Sequence, residues 1–271
     1  MLRYISLIII ILTLSSCEKV VDVDVPNSQE RLVIEASINW FDGTPGNEQS
    51  IILTTTSPFF DNVIPPAINA TVTITDSNNN TVNFIDIGNN GVYSTTNFTP
   101  VINETYTLNI TYKNQQYTAT ETLLSVTPVD YIEQENDGGF SGEDIELKAF
   151  YTDPANELNH YFFEFFTPVS PLPDLNVYKD EFIDGNQIFA FYSDEDLEQN
   201  DEVIINNYGV SQQFFEYMDL LLQQVADSDG GPFQTQPATV RGNCTNTTNP
   251  DNFPLGYFRL SQAFKTTYTV L

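Results

Sequence analysis

The chain has 271 residues and a formal net charge of −28, because 37 acidic residues outnumber nine basic ones. A surface this acidic repels the phosphate backbone of nucleic acids, which excludes nucleic-acid binding. It also repels anionic lipid headgroups. One histidine and two cysteines are too few for a zinc, haem or iron–sulfur site, and a catalytic triad would depend on His160 alone. Hydrophobic residues at 41% and aromatic residues at 13% are sufficient for folded cores.

The N-terminal residues have the pattern of a signal peptide. Arg3 precedes an apolar run over residues 5–14, which as a helix would be about 15 Å long and too short for a hydrocarbon core of about 30 Å. We therefore predict a cleaved leader at residues 1–16. The segment Leu14-Ser15-Ser16-Cys17 resembles a bacterial lipobox, which predicts lipidation at Cys17 and stable membrane anchoring. The alternative is an ordinary secretory signal with a coincidental cysteine.

Residues 17–31 are predicted to form a lipidated acidic tether. Glu18, Asp22 and Asp24 lie in it and resemble the acidic signal that sends Bacteroidota lipoproteins to the outer face of the outer membrane. The alternative is that any solvated tether in so acidic a protein contains such residues. Lipid on Cys17 leaves Cys244 without a partner, so we predict no disulfide and a small, buried cysteine there.

Residues 32–126 are predicted to form an immunoglobulin-like β-sandwich. Apolar and polar residues alternate in short segments, as where Val72 and Ile74 share one face and threonines the other. Asn-rich turns such as residues 76–80 separate the segments. Seven strands with this spacing are typical of such a sandwich. They are residues 32–38, 49–56, 70–75, 81–85, 92–94, 105–112 and 117–123.

Residues 127–271 are predicted to form a second β-rich module with one amphipathic helix at about residues 211–227. Ser211 is suited to cap this helix, apolar residues follow at three- and four-residue spacing, and Gly230 and Pro232 favour its end. An acidic loop is predicted at residues 133–143. The predicted strands are residues 145–151, 161–166, 187–192, 202–208, 239–244 and 255–261.

The C-terminal residues carry a family resemblance. A helix with Leu-Leu-Gln is followed by Gly230-Gly-Pro-Phe233, Gly242-Asn243 and Leu255-Gly-Tyr-Phe258. With residues 32–38, this order resembles the Bacteroidota lipoproteins of domain-of-unknown-function family 4249 over nearly all of the chain after the tether. The resemblance implies a surface or outer-membrane lipoprotein, often encoded near TonB-dependent receptors, without an established enzymatic activity. It therefore supplies no catalytic residues.

Two sets of residues are candidate binding sites. Carboxylates at alternate loop positions suit calcium, and the candidate ligands are Asp194, Asp196, Asp227 and Asp229. The alternatives are a solvated acidic loop and a turn at the helix end. Loop aromatics suit stacking on sugar rings, and these candidates are Trp40, Phe41, Phe59 and Phe60. The alternative is that they pack against the sandwich or the second module.

These observations predict a non-enzymatic lipoprotein, anchored in the outer membrane by lipid at Cys17 and facing the cell surface. We expect no cofactor besides that lipid, apart from the calcium candidates. The expected partners are an outer-membrane β-barrel, such as a TonB-dependent transporter in uptake or assembly, and other surface lipoproteins. The alternative is a stand-alone glycan- or peptide-binding lipoprotein. A hydrolase would need paired carboxylates about 5–9.5 Å apart, which no motif specifies.

Overall fold

A computed structural model describes residues 29–58, 61, 63–139, 142–181, 184–226 and 240–271. The predicted leader, Cys17, Phe59, Phe60, Asp227 and Asp229 lie outside the described residues. Fifteen strands and one helix are present in the described part of the chain. The predicted fold class is confirmed, since the protein is mainly β with an immunoglobulin-like sandwich followed by a second β-rich module with a helix.

The strands form three sheets. In chain order they are β1 (Leu32–Phe41), β2 (Gln49–Thr55), β3 (Thr71–Asp76), β4 (Thr81–Phe84), β5 (Val92–Thr95), β6 (Thr105–Tyr112), β7 (Gln115–Thr122), β8 (Tyr131–Gly138), β9 (Asp144–Thr152), β10 (His160–Phe166), β11 (Asp174–Lys179), β12 (Gln187–Asp194), β13 (Glu202–Gly209), β14 (Thr245–Asn246) and β15 (Leu255–Thr269). The seven-stranded sheet has the order β11-β10-β13-β15-β1-β2-β5, the five-stranded sheet β14-β7-β6-β3-β4, and the three-stranded sheet β12-β9-β8.

The first core lies between the five-stranded sheet and the half of the seven-stranded sheet that contains β1. Alternation places one side of each strand inside, as the sequence predicts: Val72 and Ile74 of β3 are each 1% exposed. Ile34 and Phe258 meet them from the seven-stranded sheet. Burial of such side chains contributes roughly 1.5–3 kcal/mol each, so this core is a main source of stability.

The second core lies between the three-stranded sheet and the other half of the seven-stranded sheet. β10 brings Tyr161, Phe163 and Phe165 into it, and β9 brings Tyr151. The Tyr151 ring lies 4.7 Å from that of Tyr161 and 5.2 Å from that of Phe163. The strand predicted at residues 161–166 is thus β10, which lies between β11 and β13 and is covered by the three-stranded sheet.

β15 joins the two cores. It pairs in parallel with β1 from Val33 opposite Leu255 to Phe41 opposite Ala263, and its second half pairs antiparallel with β13. β14 pairs with β7 of the first sandwich. Strands from the predicted second module thus complete the first sandwich. The domain boundary at residues 126 and 127 itself stays a prediction.

Three elements differ from the sequence prediction. The loop predicted at residues 133–143 begins as β8, where Gln134 occupies an inward position and its amide oxygen accepts hydrogen bonds from Tyr268 Oη and Leu271 N. A polar inward residue hides the alternation that marks a strand. β11 was not predicted, and the strand predicted at residues 239–244 is wrong, since the short β14 follows it.

The helix α1 (Gln212–Ala226) packs on the outer face of the seven-stranded sheet. It confirms the prediction, with Phe214 N donating to Ser211 Oγ at 3.2 Å as a cap. Phe214 and Met218 cover Phe162 and Tyr257. Among the described residues, no helix is long and apolar enough to cross a membrane.

Beneath α1 lies a buried cation. Arg259 of β15 is 4% exposed, with its guanidinium 4.5 Å from the Tyr208 ring centroid and 5.2 Å from that of Phe214. Its Nη1 and Nη2 donate to Ser261 Oγ and Asn39 Oδ1, both at 2.9 Å. Ring faces attract a cation, and these contacts offset part of the cost of removing Arg259 from water.

Glu121 of β7 connects the first sandwich to the start of α1. Its Oε2 accepts hydrogen bonds from Ser211 Oγ at 3.0 Å and Tyr257 Oη at 3.2 Å. Burial outweighs these bonds and raises the pKa of Glu121 above its usual range. The charged carboxylate is therefore less favourable in the folded protein than in the unfolded chain.

A substitution at Gly256 tests the close approach between β1 and β15. The φ of Gly256 is +88°, and a Cβ there would lie 2.1 Å from Ile34 O, whereas Gly43 has φ +75° with no atom within 4 Å of a Cβ. We expect Gly43→Ala to lower the free energy of unfolding by about 1–2 kcal/mol through backbone strain alone. Gly256→Ala should cost at least twice as much in urea denaturation. Equal losses would contradict the close approach.

Glu121→Gln should change how stability depends on pH. Glutamine keeps an acceptor for Ser211 and Tyr257 but carries no charge. Because the folded pKa of Glu121 is raised, the wild type loses stability as pH rises through that pKa, and the variant does not. The variant should therefore be the more stable at pH 7, and the gap should close towards pH 4. Urea denaturation at both pH values measures the difference in free energy of unfolding between the variant and the wild type. Glu133→Gln, at an exposed position, is the control. A difference that does not change with pH would refute the expectation.

Candidate functional site

The outward face of the three-stranded sheet carries a line of aromatic side chains. Tyr131 of β8 and Phe189 of β12 both lie opposite Phe150 of β9. The ring centroids of Tyr131 and Phe150 are 4.7 Å apart, and those of Phe150 and Phe189 are 5.2 Å apart. We call Tyr131, Phe150 and Phe189 the outer aromatic row. Tyr131 is 43% and Phe189 41% exposed, so the row lies outside both cores.

Strand alternation puts the row there. In β9, Leu147, Ala149 and Tyr151 point into the second core, so Phe150 points outward. In β12, Ala190 and Tyr192 are buried, so Phe189 points outward. Successive side chains of a strand point to opposite faces of the sheet, so the neighbours of these buried residues must point outward. Exposed rings on one face are therefore a direct result of the sequence pattern.

Charged residues border one side of the row. Lys148 Nζ lies 2.5 Å from Glu146 Oε1 and 3.6 Å from Glu135 Oε2. It also lies 5.7 Å from the Phe189 ring centroid, within the range of a cation–π contact. The hydrogen bond with Lys148 holds the pKa of Glu146 below its usual range, and the same bond raises the pKa of Lys148. Both groups are therefore charged at neutral pH.

Neutral and acidic hydrogen-bonding groups border the other side. Asp130 Oδ2 accepts hydrogen bonds from Thr152 Oγ1 at 2.7 Å and from Gln187 Nε2 at 3.0 Å. Tyr131 Oη donates to Gln187 Oε1 at 3.2 Å. The surface thus combines flat apolar rings with exposed polar groups on two sides. Such a surface is suited to binding by stacking and hydrogen bonding.

The predicted stacking residues are packed where the structure describes them. Trp40 is half-buried against the first core, and its Nε1 donates to Thr44 O at 2.9 Å. Phe41 lies on the opposite face of β1, 6.0 Å from the Tyr208 ring beside α1. Phe59 and Phe60 lie outside the described residues. A binding role for these four residues stays a prediction.

The predicted calcium ligands are placed only in part. Asp194 Oδ1 accepts from Asp196 N at 2.9 Å, and Asp194 Oδ2 accepts from Tyr192 Oη at 3.0 Å. These bonds form a turn that uses both Asp194 oxygens. Asp227 and Asp229 lie outside the described residues. Calcium at these positions stays a prediction.

The histidine lies against α1, and the described cysteine is buried in the first core. His160 is half-buried with its ring 5.3 Å from that of Phe215, and burial lowers the pKa of His160. Cys244 is 7% exposed in the first core, and burial raises the pKa of its thiol to about 12. A thiol with this pKa is neutral and unreactive at physiological pH. The structure thus places Cys244 as the sequence predicts.

Sequence reasoning missed the outer aromatic row. Its signal is present in β12, where Phe189 and Phe191 alternate with the small Ala190 and with Tyr192. Predicting residues 187–192 only as a strand does not say which face is outward, because both faces are apolar. The small alanine is what marks the inward side.

Comparison with known proteins places the chain in a family. A family model described as "Domain of unknown function (DUF4249)" matches residues 18–267. The chain belongs to this family. No curated protein matches this DUF4249 chain.

Two solved structures have similar segments. A segment of two fibronectin type-III domains from chicken tenascin is 10% identical, with 67% of this chain and 91% of that chain covered and a TM-score of 0.22. The FN1–FN3 domains of chicken CNTN1 are 9% identical, with 68% of this chain and 60% of that chain covered and a TM-score of 0.26. At such TM-scores these likenesses say nothing about function.

Proposed function

We propose that this DUF4249 protein is a non-enzymatic lipoprotein on the outer face of the outer membrane, where it is an accessory subunit of a β-barrel complex such as a TonB-dependent transporter. The observation that carries the proposal is the outer aromatic row. Adjacent aromatic rings on an exposed face with a polar border are typical of protein contact sites. Lipid at Cys17 supplies the anchor and the row supplies the contact with the barrel.

Charge near the tether supports a fixed orientation at the membrane. The Arg31 and Arg241 guanidiniums lie 3.7 and 3.8 Å from the Phe253 ring centroid, and Lys113 Nζ lies 2.5 Å from Glu30 Oε1. These basic residues of an acidic protein gather where β1 begins. Because Lys113 is paired with Glu30, the two arginines supply the net positive charge here, and they locally offset the repulsion between the acidic protein and anionic headgroups. This end would then face the membrane.

The tether length supports a partner in the same membrane. Residues 17–31, fully extended, span at most roughly 50 Å. A lipid at Cys17 would confine the folded part to this distance from the bilayer. Confinement raises the effective concentration of a membrane-bound partner, so that a modest contact surface suffices.

The anchor is tested by Cys17→Ala. After cell fractionation, the wild type should sediment with outer membranes and Cys17→Ala should be released into the soluble fraction, because the thioether lipid is lost. Cys244→Ala is the matched control, since it removes the other cysteine from a buried position. It should remain with the membranes. A Cys17→Ala protein that sediments like the wild type would overturn the anchor.

The contact is tested by a double substitution, Tyr131→Ala with Phe189→Ala. Affinity purification from detergent-solubilised outer membranes should recover a barrel protein with the wild type and at least about tenfold less with the variant, since loss of one aromatic hot-spot residue costs about 2 kcal/mol or more and about 1.4 kcal/mol is a factor of ten. Ile87→Ala is the control, because Ile87 is 88% exposed and lies between β4 and β5 of the first sandwich. Thermal unfolding checks that all variants are folded.

Two results would count against the barrel contact. One is purification of the wild type without any barrel protein. The other is equal recovery with the wild type and the double variant, which would locate the contact elsewhere.

The second candidate function is glycan binding without a barrel. The observation that favours it is that Asp130 and Gln187 place exposed carboxylate and amide groups beside Tyr131. Sugar recognition combines ring stacking with hydrogen bonds to such groups. A glycan array with the wild type and Phe189→Ala distinguishes the two functions. Glycan binding that disappears in the variant, with no barrel recovered, would favour this second function.

A further inference from the structure

Three carboxylates lie close together at one end of the second sandwich, which consists of the three-stranded sheet and the half of the seven-stranded sheet that it covers. Asp153 follows β9, Asp180 follows β11, and Asp184 precedes β12. One oxygen of each lies within 4.8 Å of the others. Asp153 is 2% and Asp180 1% exposed, while Asp184 is exposed. We call these three residues the Asp153 cluster.

Backbone groups hold the carboxylates in place across two loops. Gly185 N donates to Asp153 Oδ2 at 3.0 Å, and Asn159 N donates to Asp180 Oδ2 at 2.9 Å. Asn156 N donates to Asp184 Oδ1 at 2.7 Å. Each of these bonds runs between the β9–β10 loop and the β11–β12 loop. The side-chain positions are therefore fixed by the fold.

One oxygen in the cluster has no partner. Asp180 Oδ1 is buried and accepts no hydrogen bond. Within the described residues, no basic side chain forms an ion pair with the cluster, and the adjacent Lys179 pairs with Glu181 instead. A buried carboxylate oxygen without a donor or a cation is unfavourable. The described residues therefore provide no ion pair that balances the charge of the three carboxylates.

We propose that the Asp153 cluster binds Ca²⁺. Carboxylate oxygens are the ligands that Ca²⁺ prefers, at about 2.3–2.6 Å. The three oxygens lie no more than 4.8 Å apart. Three evenly spaced oxygens at about 2.6 Å from one ion are about 4.5 Å apart, so small side-chain shifts are enough to bring all three onto one Ca²⁺. Mg²⁺ demands near-ideal octahedral geometry, keeps several waters and is usually bound by one or two carboxylates, so three carboxylates favour Ca²⁺. Backbone carbonyls and water would complete the shell.

The ion would join the two loops beside the outer aromatic row. Asp153 directly follows Thr152, whose hydroxyl donates to Asp130, and Asp153 N donates to Asn186 O at 3.1 Å, next to Gln187. Ca²⁺ would therefore stabilise the border of the row. Binding of the ion does not depend on the proposed partner, since it requires only the two loops.

Terbium luminescence tests the site. Tb³⁺ takes Ca²⁺ positions and is excited through nearby tyrosine, and Tyr161 Oη donates to Asp153. The full chain in detergent, treated with a chelator, should show Tb³⁺ luminescence that Ca²⁺ displaces. Ca²⁺ at about 1 mM, the range of extracellular calcium modules, should raise the melting temperature.

Two variants and one control make the test specific. Asp184→Asn changes an exposed residue and should fold, and Asp180→Asn removes the carboxylate with the unpartnered oxygen. Each should weaken Ca²⁺ binding about tenfold or more, as loss of a charged ligand predicts. Asp42→Asn, which changes an exposed carboxylate directly after β1, is the control and should bind as the wild type does. Asp196→Asn tests the other predicted calcium position.

Two outcomes would refute the site. The first is a wild type without Tb³⁺ luminescence and without a Ca²⁺-dependent rise in melting temperature. The second is Ca²⁺ binding that survives in Asp184→Asn and Asp180→Asn but is lost in Asp196→Asn, which would place calcium at the other turn.

Discussion

Parallel pairing of β1 with β15 is the constraint on which the other parts depend. The two strands align over nine residue pairs, from Val33 with Leu255 to Phe41 with Ala263, and β15 then continues beside β13. One continuous strand thus supplies a wall to both cores. Gly256 allows the approach, because any side chain there would meet Ile34 O. Since the three-stranded sheet carries the outer aromatic row and its strand ends carry the Asp153 cluster, this pairing also sets their positions relative to the start of β1.

The outer face of the shared sheet has a different chemistry from the two cores. Arg259 is enclosed by the rings of Tyr208, Phe162 and Phe214, and Tyr208 Oη donates to Glu164 Oε2 at 2.6 Å. A buried cation and a nearby carboxylate make a poor source of net stability. From α1, the Phe214 ring covers the Arg259 guanidinium at 5.2 Å, so the helix contributes to shielding this cation from water.

Elements defined by a regular pattern of neighbouring residues could be predicted from the sequence. Elements that depend on partners far along the chain could not. Val72 and Ile74 alternate with threonines, and the α1 residues repeat at helical spacing, so both elements were found. Gln134 of β8 has its partners at Tyr268 and Leu271, far along the chain. The same holds for the candidate sites. Asp194 and Asp196 are close in sequence but form their own turn, whereas Asp153 and Asp180 meet only because two loops pack together.

The neighbours β1 and β15 also set an order of events during biosynthesis. The ribosome delivers β1 early and residues 255–263 late, so one edge of β1 stays open while most of the nascent chain is made. Contacts this far apart in sequence form slowly, and an open strand edge is a template for aggregation. A chaperone that shields β1 until β15 arrives would therefore raise the yield of native protein, and truncation before residue 255 would leave the first sandwich without the strand that closes it.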